Sequence, residues 1–168
     1  SSGPAGPIED LEFDEWQACI GVNLHGAFLT CRWAARLMKA QGAGLILLTS
    51  STSGLFGCPL RSPYVVAKWG LIGLTKTLAM ELGPFGVRVN AICPGWVETD
   101  MAKDSIQRMA VAQGISYEAC HAEQCAVLPT GRMSQPEDVA GFVSWLMSSE
   151  QRGITGQGLD LNNGSWMS

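Results

Sequence analysis

Apolar residues recur along the chain with two different periods. Over residues 13–40 they return at steps of three and four, which is typical of a helix with one buried face. Residues 45–48 form instead a short continuous apolar run that ends in Thr49 and Ser50, as expected for a strand buried on both faces. The pattern therefore predicts a long helix followed by a strand of a buried sheet.

The rest of the chain continues this alternation. Ser62 and Pro63 are typical of a helix start and Gly83 of a helix end, so a second helix is predicted over residues 63–82. It is apolar on nearly every side, which is typical of a helix in a core or at a subunit interface. Three more elements are predicted: strands at residues 87–92 and 158–161 and a helix from Gln135.

Alternating helices and strands favour parallel strands with helices on both faces, so the predicted fold class is α/β. Residues 100–131 form a long connection between the second strand and the last helix, and such connections are usually functional or carry their own helices. Met101, Ile106, Met109 and Val111 suggest a weak apolar stripe, and a further helix is predicted over residues 117–124.

Composition narrows the function classes. The 168 residues suffice for one domain, and 46% hydrophobic with 15% charged residues favours a large core over disorder. A net charge of −4 with scattered basic residues gives no face for nucleic acid. No apolar run approaches the ~20 residues of a membrane span, so no membrane partner is expected. The first seven residues are neither charged nor apolar enough for a signal peptide to be expected there.

The six cysteines lie singly in apolar segments with no Cys-x-x-Cys pair, which predicts reduced thiols in a cytoplasmic protein. Cys120, His121 and Cys125 are the only cluster that suggests a metal. One histidine and two cysteines at this spacing do not match a tetrahedral ligand set, so no metal site is predicted.

Chemistry is suggested by a hydroxyl, a phenol and an amine near the first strand's end. Ser51 follows that strand, and Tyr64 and Lys68 are four residues apart on the next helix, which places them on one side of it. A tuned tyrosine donates a proton to a carbonyl oxygen or takes one from an alcohol, and a nearby lysine cation favours the phenolate. A bare Tyr-x-x-x-Lys occurs often by chance, with a packed tyrosine and a solvated lysine as the plain alternative.

The wider sequence resembles the short-chain dehydrogenase/reductase family. The matching motifs appear in the family's order over nearly the whole chain. They are Asn23-Leu24, Ser51, Tyr64-x-x-x-Lys68, Pro94-Gly95-x-x-x-Thr99 and the stretch at residues 153–157. The resemblance implies oxidation of a secondary alcohol, or reduction of a ketone, with NAD or NADP, whose preference is not readable.

The resemblance also assigns roles to single residues. Tyr64 would be the acid–base, Lys68 would lower its pKa and bind the nicotinamide ribose, and Ser51 would orient the substrate oxygen. Asn23 would hold a water in a proton relay to Lys68; the alternative for Gly21, Asn23 and Gly26 is a kink for close packing. The expected cofactor contacts are Tyr64, Lys68, Pro94, Gly95, Val97 and Thr99, although Pro94-Gly95 alone favours an ordinary turn.

Substrate contacts are less defined. Ser51, Ser53, Cys58 and Tyr64 are the expected substrate residues, and residues 100–131 would form a lid. The apolar loop at residues 55–60 favours a small or medium, largely apolar alcohol or ketone, with simple loop burial as an equal alternative. The expected assembly is a homodimer or homotetramer built through the apolar helix from Pro63.

One family feature is missing from the sequence. No G-x-G-x-x-G turn lies between a first strand and a first helix, where the cofactor's pyrophosphate would bind. We therefore expect residues 1–168 to form one partial domain, the C-terminal portion of a doubly wound, Rossmann-like parallel sheet. The alternative function is a non-catalytic, truncated chain that acts as an oligomerisation or interaction module.

Overall fold

The computed structural model describes residues 2–167 as alternating helices and strands. Their order is α1 (Phe13–Ile20), a π-helical turn (Gly21–His25), α2 (Gly26–Gln41), β1 (Gly44–Thr49), α3 (Ser62–Leu82), β2 (Val87–Pro94), α4 (Asp100–Gln113), α5 (Tyr117–Ala126), α6 (Pro136–Met147) and β3 (Gly158–Leu161). The predicted α/β fold class is confirmed. The chain divides into two compact units, residues 1–93 with 149–159 and residues 94–148 with 160–168.

The first unit contains the predicted long helix, but as two α-helices joined by the π turn. Its ends agree with the prediction within one residue, and Gly42 closes α2 in a left-handed conformation with φ 70°. The predicted apolar stripe is only partly correct. Cys19 and Cys31 are the buried residues of these two helices, whereas Phe13 and Trp33, two of the apolar residues at three- and four-residue steps, are 68% and 66% exposed.

The sheet has three strands in the order β1-β2-β3. β1 and β2 run parallel in a register that pairs Gly44 with Val87 and Thr49 with Ile92. Asn90 on β2 is fully buried, and its side chain donates to the Ile154 carbonyl at 2.8 Å. Because buried amides need partners, this contact fixes the segment leading into β3.

α3 supplies most of the helical side of the first unit's core. Leu71, Ala79 and Leu82 are buried with apolar residues of β1 and β2. Leu71 therefore belongs to the core and not to an outward face, whereas Trp69 is 49% exposed. None of the helices within residues 2–167 has the length and apolar character needed to cross a membrane.

The second unit has its own core beneath α4 and α5. Ile106, Ala110, Cys120, Leu128 and Met133 are buried in it. The predicted helix at residues 117–124 is confirmed as α5.

The expected stripe on α4 is half wrong. Ile106 and Met109 pack in or against the core, but Met101 and Val111 are 51% and 71% exposed. The buried face follows Ala102, Ile106 and Ala110 in steps of four, and small residues allow that face to pack closely.

Candidate active site

Tyr64 and Lys68 lie on the first two turns of α3, beside the carboxyl end of β1. The Lys68 side chain is 8% exposed, and its Nζ donates a 2.8 Å hydrogen bond to the Thr49 carbonyl. The same Nζ lies 5.3 Å from the centroid of the Tyr64 ring. Helical spacing thus brings the phenol and the amine together at the end of a parallel strand, where ligands of α/β proteins bind.

Ser51 completes the predicted group. Its side chain is hydrogen-bonded to Tyr64 and accepts the Ser53 N–H at 3.1 Å. The loop after Ser51 lies tightly on α3, because Ser50 Oγ donates to the Lys68 carbonyl at 2.9 Å and a Cβ on Gly54 would come 2.9 Å from the same oxygen. Close packing therefore holds the serine against the phenol.

Burial dominates the electrostatics of the pair. Burial raises the pKa of Tyr64 above 10.0, while the hydrogen bond from Ser51 and the charge of Arg61 act to lower it. Burial also lowers the pKa of Lys68 below 10.5, against opposing effects of Cys19 and Cys93. Arg61 is thus a cation near the phenol that the sequence did not predict to act on its pKa.

Asn23 lies in the π turn that interrupts the long helix. Its Nδ2 donates to the Cys19 carbonyl at 3.0 Å and contacts the Cys19 sulfur at 3.6 Å. Cys19 in turn influences the pKa of both Tyr64 and Lys68. Gly21, Asn23 and Gly26, which are unfavourable inside an α-helix, lie in or directly after this π turn. Such turns are frequent at functional sites.

The other predicted cofactor residues belong to the second unit. Gly95 donates its N–H to the Leu161 carbonyl at 3.1 Å, and a Cβ there would lie 3.1 Å from the Asn162 Cα. Packing thus excludes a side chain at this glycine. Thr99 caps α4 by accepting the Ala102 N–H at 3.4 Å, so its hydroxyl already has a structural role.

Cys58 and the residues of the suggested metal cluster make ordinary structural contacts. Cys58 contributes its backbone carbonyl, which accepts the Arg61 N–H at 3.3 Å. Within residues 2–167, no group of three histidine, cysteine or acidic side chains could hold a metal ion. His121 Nε2 lies instead 2.7 Å from Glu98 Oε1, and its Nδ1 is 3.8 Å from the Cys125 sulfur.

Two site residues were missed in the sequence. Cys19 lies one helical turn before Asn23, and Arg61 precedes Tyr64 by three residues. A three- or four-residue spacing from each expected site residue is the signal that could have found both. Neither residue belongs to the motifs on which the sequence argument relied.

Comparisons with known proteins identify similar sequences. A family model described as enoyl-(acyl carrier protein) reductase matches residues 2–165. D-beta-hydroxybutyrate dehydrogenase of Rhizobium meliloti (strain 1021) is 38% identical over 158 residues, which are 94% of this chain and 61% of that protein.

Solved structures extend the similarity to the fold. Sorbitol-6-phosphate 2-dehydrogenase from Erwinia amylovora aligns with a TM-score of 0.94 at 28% identity, over 99% of this chain and 66% of that one. An actinorhodin polyketide ketoreductase variant with NADPH aligns with a TM-score of 0.92 at 33% identity, over 97% and 63%. The chain thus spans somewhat less than two thirds of the length of these proteins. Its fold is a Rossmann-like parallel sheet with helices. On the family match, the fold and the order of its motifs, the chain belongs to the short-chain dehydrogenase/reductase family.

Proposed function

We propose that the protein is an NAD- or NADP-dependent oxidoreductase that interconverts a secondary alcohol and a ketone. The observation that carries the proposal is the packed group of Ser51, in the loop after β1, with Tyr64 and Lys68 on α3. A phenol hydrogen-bonded to a serine and lying near an ammonium can exchange a proton with a substrate oxygen. The named dehydrogenases and reductases among its relatives support the same reaction class.

The proton chemistry belongs to the chain's own side chains. Since burial raises the pKa of Tyr64, the phenol is protonated at neutral pH and ready to donate to a ketone oxygen. Ser51 would hold that oxygen by a second hydrogen bond. In alcohol oxidation the same phenol would have to lose a proton, which would leave through a relay that includes Lys68 and a water held by Asn23. Ser53 and Cys58 are the further proposed substrate contacts.

The residues present fit the nicotinamide end of the cofactor. Lys68 Nζ donates one hydrogen bond to Thr49, which leaves two of its three N–H groups for ribose hydroxyls. Pro94, Gly95, Val97 and Thr99 are the proposed contacts of the carboxamide. When bound, the nicotinamide supplies or accepts the hydride, and the protein supplies position and electrostatics.

Exchange of Tyr64 for phenylalanine tests the assignment. In the protein expressed from its gene with any residues that precede Ser1, Tyr64→Phe should lower kcat by about 10²–10⁴-fold, because it removes the acid–base group. Cofactor affinity and the far-UV circular dichroism should be nearly unchanged. Tyr117→Phe, at the other tyrosine of residues 1–168, is the matched control and should keep its activity. Retention of most turnover by Tyr64→Phe would discard the acid–base role.

A second candidate function is a non-catalytic oligomerisation or interaction module. It is favoured by the exposed apolar side chains of α2 and α3, among them Leu29, Trp33, Trp69 and Met80. The same surface would join subunits in an active homodimer or homotetramer. Turnover by the wild type that is lost in Tyr64→Phe separates the enzyme from the module. For either function we propose a cytoplasmic location, which the six free thiols support.

A further inference from the structure

Arg61 places a second cation on the candidate active site. Its Cζ lies 5.5 Å from the centroid of the Tyr64 ring, and its charge lowers the pKa of that phenol. One Nη2 hydrogen bond of 3.3 Å goes to the Ser2 carbonyl, and the buried Nε has no hydrogen-bond partner within residues 2–167. The guanidinium is therefore only partly satisfied by the protein around it.

No carboxylate of residues 2–167 forms an ion pair with this guanidinium. The ion pairs within residues 2–167 lie elsewhere, at Lys103–Asp100, His121–Glu98 and Arg132–Asp138. No aspartate or glutamate is among the groups that shift the pKa of Tyr64 or Lys68. Two cations thus flank a half-buried phenol without a counter-charge. Since a charge in a partly desolvated place is unfavourable unless paired, the site suits a ligand that brings the anion itself.

The backbone before Arg61 has an uncommon conformation. Leu60 has a φ of 64°, in the left-handed region that residues other than glycine seldom adopt. Two hydrogen bonds hold it there, from the Gly6 N–H to the Leu60 carbonyl at 2.9 Å and from the Arg61 N–H to the Cys58 carbonyl at 3.3 Å. Such outliers cluster at ligand-binding positions. The conformation of Leu60 fixes the direction in which the chain enters the first turn of α3. It therefore also fixes the direction in which the Arg61 side chain leaves the backbone.

We propose that Arg61 is a specificity-determining residue that binds the carboxylate of a short oxo acid or hydroxy acid. A guanidinium pairs with a carboxylate through two parallel hydrogen bonds, which fixes the orientation of the ligand. Because Arg61 Cζ lies 5.5 Å from the centroid of the Tyr64 ring, a carboxylate paired with Arg61 would lie near that ring. The inference rests on the proposed function and adds a carboxylate to the small or medium, largely apolar substrate expected from the sequence.

Paired substrates test the proposal in the protein expressed from its gene with any residues that precede Ser1. Acetoacetate and methyl acetoacetate differ in the charge of one end. Arg61→Leu should lower kcat/KM for acetoacetate by about 10- to 100-fold, the usual effect of losing a hydrogen bond to a charged group, and change the ester much less. Arg61→Lys should restore part of the loss. Arg152→Leu, which removes an exposed cation, is the matched control and should leave the ratio of the two substrates unchanged.

An equal loss for both substrates would overturn the proposal, because it would show that Arg61 only supports the fold. Absence of turnover with both substrates would count against the proposed function. The carboxylate site is then tested by the binding of acetoacetate alone. The phenolate absorbance that is lost in Tyr64→Phe reports the ionisation of Tyr64. Acetoacetate should raise the Tyr64 pKa in the Arg61 protein, since an anion disfavours the phenolate, and should have no effect in Arg61→Leu. No effect in either protein would also overturn the proposal.

Discussion

At the scale of single residues, the site depends on burial more than on charge pairs. Tyr64 and Lys68 both have pKa values shifted toward their neutral forms, with burial as the largest cause. A neutral phenol can serve as a proton donor, whereas a buried ammonium is unfavourable unless hydrogen-bonded. The hydrogen bond from Lys68 Nζ to the Thr49 carbonyl therefore offsets part of the free-energy cost of burying the ammonium. Favourable packing elsewhere in the fold must offset the rest.

Lys68 should make stability depend on pH in the alkaline range. Its folded-state pKa is below the 10.5 of the unfolded chain, so between these values the unfolded chain binds the additional proton and the free energy of unfolding rises with pH. Urea denaturation at several pH values from about 8 to 10 should show a smaller rise in Lys68→Met than in the wild type. Comparison of the two proteins cancels other titrating groups, including Cys31, whose pKa burial raises. Equal pH slopes would contradict the prediction.

At the scale of elements, the π turn and α4 show how local sequence and packing interact. The π turn places Asn23 next to Cys19 within a helix that otherwise follows its apolar period. In α4, Thr99 provides the start signal and Gly114 the end signal, with φ 69°. Neither of these two signals indicates which side of α4 is buried.

Two substitutions on α4 measure its buried side directly. Ile106 is fully buried, so Ile106→Ala should lower the free energy of unfolding by about 2–5 kcal/mol through lost contacts and a cavity. Val111 is 71% exposed on the same helix, and Val111→Ala should change it by less than about 0.5 kcal/mol. Thermal or urea unfolding of both variants gives the comparison. Similar losses for the two would show that the orientation of α4 is wrong.

At the scale of the whole molecule, the exposed apolar faces of α2 and α3 are the most informative surface. Trp33 and Trp69 are 66% and 49% exposed, and large exposed apolar patches usually mark an interface. We expect a symmetric dimer, alone or within a tetramer. Trp33→Glu and Trp69→Glu should give monomers in sedimentation at micromolar concentration, and Met147→Glu, at an equally exposed position on α6, should not. A monomeric wild type would reject this assembly.

Cofactor binding should be weak in the 168 residues by themselves. They contain no G-x-G-x-x-G turn for the pyrophosphate, and β1 has a strand neighbour on one side only within residues 2–167. An unpaired apolar edge of this kind also favours aggregation. Titration with NADH and NADPH, followed by nicotinamide fluorescence, should show no saturation in the micromolar range. Micromolar binding with turnover would disprove the expectation.

The sequence by itself determined the elements and suggested the candidate site residues. The signals at Pro63 and Gly83 placed the ends of α3 within one residue, although its N-cap is Arg61 and not Ser62, and helical spacing alone put Tyr64 and Lys68 on one side. These features depend on contacts between near neighbours in the chain. The class of fold followed because alternating helices and strands have few compact arrangements.

Only the tertiary structure decided which apolar residues are buried and what surrounds the phenol. Leu71 and Trp69 are both apolar residues of α3, and packing on the sheet put one inside and left the other half-exposed. The proximity of Arg61 to the Tyr64 ring depends on the direction of its side chain, and the effect of Cys19 on the Tyr64 pKa depends on packing between segments distant in sequence. Spacing in the sequence specifies neither. Burial is a property of the packed chain and could not be read from residue types. The direction in which the Tyr64 pKa shifts follows from that burial.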